Sequence, residues 1–355
     1  MEWGSVVGRE WSKAMSAGLL GAALLAACVT DRSAGPAPGG GGGIAPPSSS
    51  ASAPPALAEA TPEAATEAAA RYLRAGAYQR VVHLDGQRRR WTTIVPPSAD
   101  GRPARGVVVV LHGVGGRGLD MRATAALEPL AAPEGVVLVF PDAFAGAWND
   151  GRPGADPVVP GTAVDDVHFL RLVIDETVAR TGATPDRVAV VGFSAGAMMA
   201  SRLACDAADR VGAVALVGGT AGQGFQQSCR PARPVAAMVV AGSADPTVPY
   251  GGGRVADWGT RKRGFVASVD EVFAFWAAEG GCRPAAVPSG GLAGVVSELR
   301  SPDCRSGTAV VRYRVDGGGH EWFRLPRFDT TGTVWRFLSA RFAAASGAAL
   351  VDLTA

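Results

Sequence analysis

The sequence predicts an α/β domain: a mostly parallel central sheet with helices on both faces and an antiparallel hairpin at its N-terminal side. Three observations carry that prediction. Short runs such as Val107–Leu111 are apolar at consecutive positions, which marks strands covered on both faces. Helical patterns alternate with those runs along the chain. A Gly-x-Ser-x-Gly stretch, Gly192 to Gly196, lies at the junction between one such strand and the helix after it.

The chain before residue 79 has a different character. After a weakly basic start at Arg9 and Lys13, the apolar stretch AMSAGLLGAALLAAC is too short to span a bilayer comfortably and ends in small residues, as an export signal does. Its last residues, Leu25 to Cys28, resemble the lipobox of bacterial lipoproteins. Residues 1–28 are therefore expected to be a lipoprotein signal peptide, with Cys28 lipidated and tethering an extracytoplasmic protein to a membrane. Residues 29–58, rich in Pro, Gly, Ser and Ala, cannot bury enough apolar surface to offset their ordering entropy and are expected to form a flexible linker. A helical lead-in over 59–78, a catalytic domain over 79–345 and a C-terminal tail over 346–355 complete the expected organisation.

Within that domain, YQRVVHLDGQRRRWTTIV predicts a hairpin turning at Asp85 and Gly86. The runs GVVVVLHG, GVVLVFPD, RVAVVGFS, VGAVALVGG, VAAMVVAGS and AVVRYRVDGGGH supply the sheet. Between them, VDDVHFLRLVIDETVARTG spaces Val167, Leu170, Ile174 and Val178 for one helix face, with Asp165 and Asp166 where negative charge suits the helix dipole. Further helices are expected in AGAMMASRLAC, SVDEVFAFWAAEGG and TTGTVWRFLSARFAAA.

A net charge of +2 gives no reason to expect a nucleic-acid partner, and Arg88 to Arg90 is too short a basic cluster to change that. Beyond Cys28 the cysteines are Cys205, Cys229, Cys282 and Cys304. None has metal-ligand spacing, so no metal site is expected. Their order permits three pairings; two disulfides are expected, and the local pairing would close loops of about two dozen residues, worth about 3 kcal/mol apiece.

The Gly-x-Ser-x-Gly stretch predicts a sharp strand-to-helix turn that lifts the Ser194 hydroxyl above the carboxyl edge of the sheet. A serine hydroxyl needs a base to take its proton, and the base needs a carboxylate to orient it. In this architecture the order is Ser, acid, His. Of the four histidines, His83, His112 and His168 precede Ser194, which leaves His320 in its glycine-rich loop. Asp245 follows an apolar strand by a few residues and is the preferred acid, with Asp303 and Asp316 as rivals.

The strand ending at Leu111 runs into Gly113, Gly115 and Gly118, a match to the dinucleotide-binding pattern. No acidic residue ends a strand about 20 positions on, as a bound ribose would require. The loop is expected instead to supply an oxyanion hole, with the amides of Val114 and Ala195 as donors.

Taken together, VVVVLHGVGG, VLVFPDAFAGAWND, VDDVHFLRLVID, RVAVVGFSAGAMMASRLAC, GSADPTVPYGGG and GGGH resemble the exported esterase family that includes polyhydroxybutyrate depolymerases and feruloyl or acetylxylan esterases, with their LpqC-like lipoprotein members. The resemblance covers residues 79 to 340. It implies an α/β-hydrolase fold, a serine esterase without metal or organic cofactor, and Ser194, Asp245 and His320 as the triad. His168 stands where such proteins carry Gly, and EWFRLP after His320 departs from their usual Trp-Pro-Gly. Trp148, Asn149 and Trp322 are candidates for the substrate cleft, with packing as the competing role of each. A serine peptidase on the same fold and a non-catalytic polysaccharide-binding lipoprotein are the alternatives.

Overall fold

The computed structural model describes residues 4–6, 72–158, 164–257, 259–285, 289–292 and 295–345. Cys28, the linker, most of the lead-in and the C-terminal tail lie outside them. Eleven strands make one sheet: β1 Gly4–Val6, β2 Gly76–Leu84, β3 Gln87–Val95, β4 Gly106–Leu111, β5 Val136–Pro141, β6 Val188–Phe193, β7 Ala213–Val217, β8 Ala236–Gly242, β9 Ser289–Leu292, β10 Val296–Ser301 and β11 Val310–Val315. Their spatial order is β1-β2-β3-β5-β4-β6-β7-β8-β11-β10-β9.

Strands β5, β4, β6, β7, β8 and β11 are mutually parallel. The expected hairpin is β2–β3, whose turn residues Asp85 and Gly86 have φ of 52° and 74°, the backbone of a tight two-residue connection. β2 begins at Gly76, inside the stretch expected to be helical, and Tyr72 to Ala75 are not helical either. The far edge is also antiparallel, through β10 and β9. That ribbon escapes the sequence pattern because Ser289-Gly-Gly-Leu292 and Val296-Ser-Glu-Leu-Arg-Ser301 carry few apolar residues.

Successive residues of the central strands pack on opposite faces. Val107, Val109 and Leu111 join one core with Phe169, Val173, Met199 and Trp276; Val108 and Val110 join the other with Met121, Val334, Leu338 and Phe342. The first core is closed by α3 Asp166–Thr181, α4 Ala195–Asp206 and α5 Val269–Glu279. The second is closed by α1 Gly118–Ala125, α2 Glu128–Ala131 and α6 Thr330–Ala344. Local chemistry sets the helix ends. Asp165 accepts the His168 N–H at 2.9 Å at the start of α3, Ser268 and Glu271 form a reciprocal cap on α5, and Gly182 ends α3 with φ of 69°.

Disulfides join Cys205 to Cys229 and Cys282 to Cys304, the local pairing. Because β4, β6, β8 and β11 run in one direction, their carboxyl ends share an edge. Past that edge lie His112, Ser194, Asp245 and His320.

Candidate active site

Ser194 follows β6 and caps α4 with φ of 56° and ψ of −120°, a conformation that costs about 1–3 kcal/mol. Its two flanking glycines make that turn possible. A Cβ on Gly192 would lie 2.1 Å from the Gly196 carbonyl oxygen, and one on Gly196 would lie 2.3 Å from that of Leu111. The start of α4 is thereby pressed against β6 and β4, and the Ser194 N–H is held by the Val217 carbonyl at 2.9 Å.

Ser194 Oγ lies 3.0 Å from His320 Nε2, and His320 Nδ1 lies 2.8 Å from Asp245 Oδ2. The carboxylate fixes the tautomer: Nδ1 donates to Asp245, so Nε2 is free to accept from the serine hydroxyl. Asp245 is buried, and its other oxygen accepts the amides of Thr247 and Val248 at 2.8 and 2.9 Å. One oxygen therefore caps the turn and the other orients the ring. The rival carboxylates are surface groups, Asp303 paired with Arg283 and Asp316 with Arg314. The Phe193 ring packs 5.1 Å from the imidazole of His320. His83 and His168 are exposed, His168 facing Asp85.

The glycine-rich loop after β4 lies beside the serine, since a Cβ on Gly113 would stand 3.3 Å from Ser194 Cβ. In this loop Gly115 N–H donates to Gly146 and Gly116 N–H to Gly113. The amides of Val114 and Ala195 have no acceptor among the described residues. One of these amides lies in the loop and the other directly follows Ser194.

His112 braces that loop. Its Nε2 accepts the Ala143 N–H at 3.0 Å, which leaves the proton on Nδ1 to be donated to the Gly113 carbonyl at 2.7 Å. Burial pushes its pKa below the ordinary histidine value and keeps the ring neutral.

The aromatic candidates have structural partners. Trp148 is 3% exposed, tilts against the His112 ring at 5.1 Å and donates its indole N–H to the His112 carbonyl at 2.8 Å. The same residue lines the cavity that touches Val114. Trp322 lies in the second core, donates to Thr331 Oγ1 at 3.0 Å and meets Phe193 edge-on. Asn149 is half-buried on the wall of a cavity of about 290 Å³ that also touches Val114, but its side-chain amide is held by the Val164 carbonyl at 2.6 Å.

Sequence reasoning missed the pair that supports this wall. Arg89 and Asp166 are buried and meet at 2.5 Å; Asp166 also accepts the Asn149 N–H at 2.7 Å, and the guanidinium lies 3.8 Å over the Phe169 ring. Among the described residues no group of three His, Cys, Asp or Glu side chains could hold a metal ion, and no helix is long and apolar enough to cross a membrane.

Comparison with known proteins adds three findings. Residues 106–268 match the family model described as alpha/beta hydrolase fold. Over 263 residues the chain is 33% identical to NocK of Nocardia uniformis subsp. tsuyamanensis, a protein assigned as an esterase, covering 68% of this chain and 73% of that one. It is 26% identical over 231 residues to feruloyl esterase B of Piromyces equi, covering 63% of this chain and 41% of that protein, so it spans less than half of that relative's length. Among solved structures, acetyl xylan esterase from Aspergillus awamori shares the fold at a TM-score of 0.51 and 13% identity, over 74% of this chain and 98% of that one.

Proposed function

The chain belongs to the α/β-hydrolase family, and on that premise we propose that it is an exported serine hydrolase of carboxylic esters. Ser194 attacks the ester carbonyl while His320 takes its proton. Asp245 stabilises the imidazolium, and the amides of Val114 and Ala195 receive the oxyanion. His320 then returns the proton to the departing alcohol, and water activated by the same ring releases the acyl group. One observation carries the reading: a hydrogen-bonded line from Ser194 through His320 to Asp245 beside two amides without acceptors.

Feruloyl or acetyl esters on polysaccharide and polyhydroxyalkanoate-type polyesters are the substrate classes we favour, and the names of the relatives support the polysaccharide side. Export is supported by the apolar N-terminal run ending at Cys28 and by two disulfides, which persist in oxidising compartments. A lipid at Cys28 would make the membrane its partner.

The test is hydrolysis of p-nitrophenyl acetate and methyl ferulate by the purified protein and by Ser194→Ala. Turnover that disappears in the variant is the expected result. Failure of the folded, disulfide-bonded protein to cleave either ester would overturn the simple esterase reading.

A further inference from the structure

The cavity beside Val114 and Trp148 carries an unbalanced charge. Four cations line it, Arg152, Arg261, Lys262 and Arg263, against two carboxylates, Asp150 and Asp156. Asp150 forms a buried ion pair with Arg152, so the unmatched charge falls on the segment 261–263. Asp150 Oδ2 stands 3.0 Å from Arg152 Nη2, yet that oxygen and Arg152 Nε are both buried with no hydrogen-bond partner among the described residues. Arg152 Nη1 faces the thioether of Met198, a weak acceptor. Asp156 accepts the backbone N–H of Lys262 at 2.7 Å, and the Arg261 guanidinium is occupied by the carbonyls of Pro157 and Val158.

Arg263 is the least satisfied of the four. Its Nε and Nη2 are buried and have no partner among the described residues. A buried donor without an acceptor costs free energy, and a charged one costs more. Burial and the charge of Arg152 push the guanidinium below its ordinary pKa, which Asp150 and Asp257 only partly offset. Two adjacent guanidinium donors suit a small oxyanion that accepts two hydrogen bonds side by side, the shape of a carboxylate on a guanidinium fork.

We propose that this cavity receives a carboxylate carried by the ester substrate, bound chiefly by Arg263. The preferred substrates are then acidic esters, with the carboxylate placed so that the scissile carbonyl lies at Ser194 and Val114. This rests on the esterase reading above and narrows its substrate class.

The test uses the full chain and two matched pairs of esters. Phenyl acetate against 4-acetoxybenzoate places the carboxylate on the alcohol side, and methyl phenyl glutarate against phenyl hydrogen glutarate places it on the acyl side. In one pair, kcat/KM for the acidic ester should exceed that of its neutral partner by about tenfold, the scale of a hydrogen bond to a charged group, and Arg263→Gln should abolish the difference. A ratio that Arg263→Gln leaves unmoved in both pairs, with the neutral esters still cleaved, overturns the proposal and spares the esterase reading. If no ester is cleaved, the esterase reading fails and calorimetry decides the cavity's role. Benzoate or glutarate binding to Ser194→Ala that is lost on adding Arg263→Gln supports the anion site, and no binding overturns it.

Discussion

The backbone of Gly318 occupies the space a side chain at Gly242 would need: a Cβ on Gly242 would lie 2.2 Å from the Gly318 carbonyl oxygen. This contact seats the loop that carries His320 on the end of the strand that leads to Asp245. Hydrogen bonds secure it, from Ser243 N–H to Val315, from Ala244 N–H to Gly318 and from Gly317 N–H to Ser243 Oγ, at 2.9, 3.0 and 2.9 Å. The separation of Asp245 and His320 is therefore set by main chain, which has little freedom to adjust.

Gly242→Ala should push the His320 loop away from Ser194. A misplacement of about 1 Å is worth about a hundredfold in rate, and the overpacking costs about 1–3 kcal/mol of stability. Steady-state hydrolysis of p-nitrophenyl acetate should show the loss in kcat more than in KM. A variant of unchanged kcat would mean that the loop is positioned by something else.

His112 makes stability depend on pH. Burial lowers its folded-state pKa below the unfolded value of about 6.5, so the unfolded chain binds the extra proton first as pH falls. Its contribution is complete above about pH 6.5 and is lost progressively below it. Thermal unfolding followed across that range should fall more steeply for the native protein than for His112→Gln. Parallel curves would contradict the neutral, loop-bracing role.

Arg89→Leu leaves the Asp166 carboxylate buried without its cation and should cost about 3–5 kcal/mol in urea denaturation. Adding Asp166→Leu should recover a large part of that loss, because two apolar groups replace an uncompensated charge. The Asn149 amide then loses its acceptor, so recovery of stability should exceed recovery of activity.

The two kinds of information in this chain explain what could be read ahead of the structure. Ser194 announces itself through Gly192 and Gly196, because the turn leaves no room for a Cβ at either position. His320 and Asp245 follow from order along the chain, which the parallel strands convert into position on one edge. Arg89 and Asp166 follow no such rule. They lie 77 residues apart on a hairpin strand and a helix, and each has a sufficient local explanation, a short basic cluster and a helix-dipole charge. Trp148 and Trp322 could not be assigned from sequence for a related reason: proximity to catalytic motifs does not reveal whether an indole faces a cleft or donates to a buried acceptor. The cations of the cavity come from two separate segments, and the unpartnered donors of Arg263 are visible only in three dimensions.

Asp245→Asn tests the orientation of the base. It keeps an oxygen for the amides of Thr247 and Val248 but presents the wrong partner to His320 Nδ1, so kcat should fall about 10⁴-fold with the fold retained. Circular dichroism and ester hydrolysis on the same sample separate the two effects. A loss below tenfold would remove Asp245 from the relay.

The central claim is that Ser194 is the nucleophile, and covalent labelling addresses it most directly. The protein would be treated with a fluorophosphonate, its intact mass measured and the adduct mapped by peptide analysis. The account predicts one adduct per chain, on Ser194, with labelling slowed by orders of magnitude in His320→Ala. An adduct on another residue, or ester turnover that persists in Ser194→Ala, would contradict it.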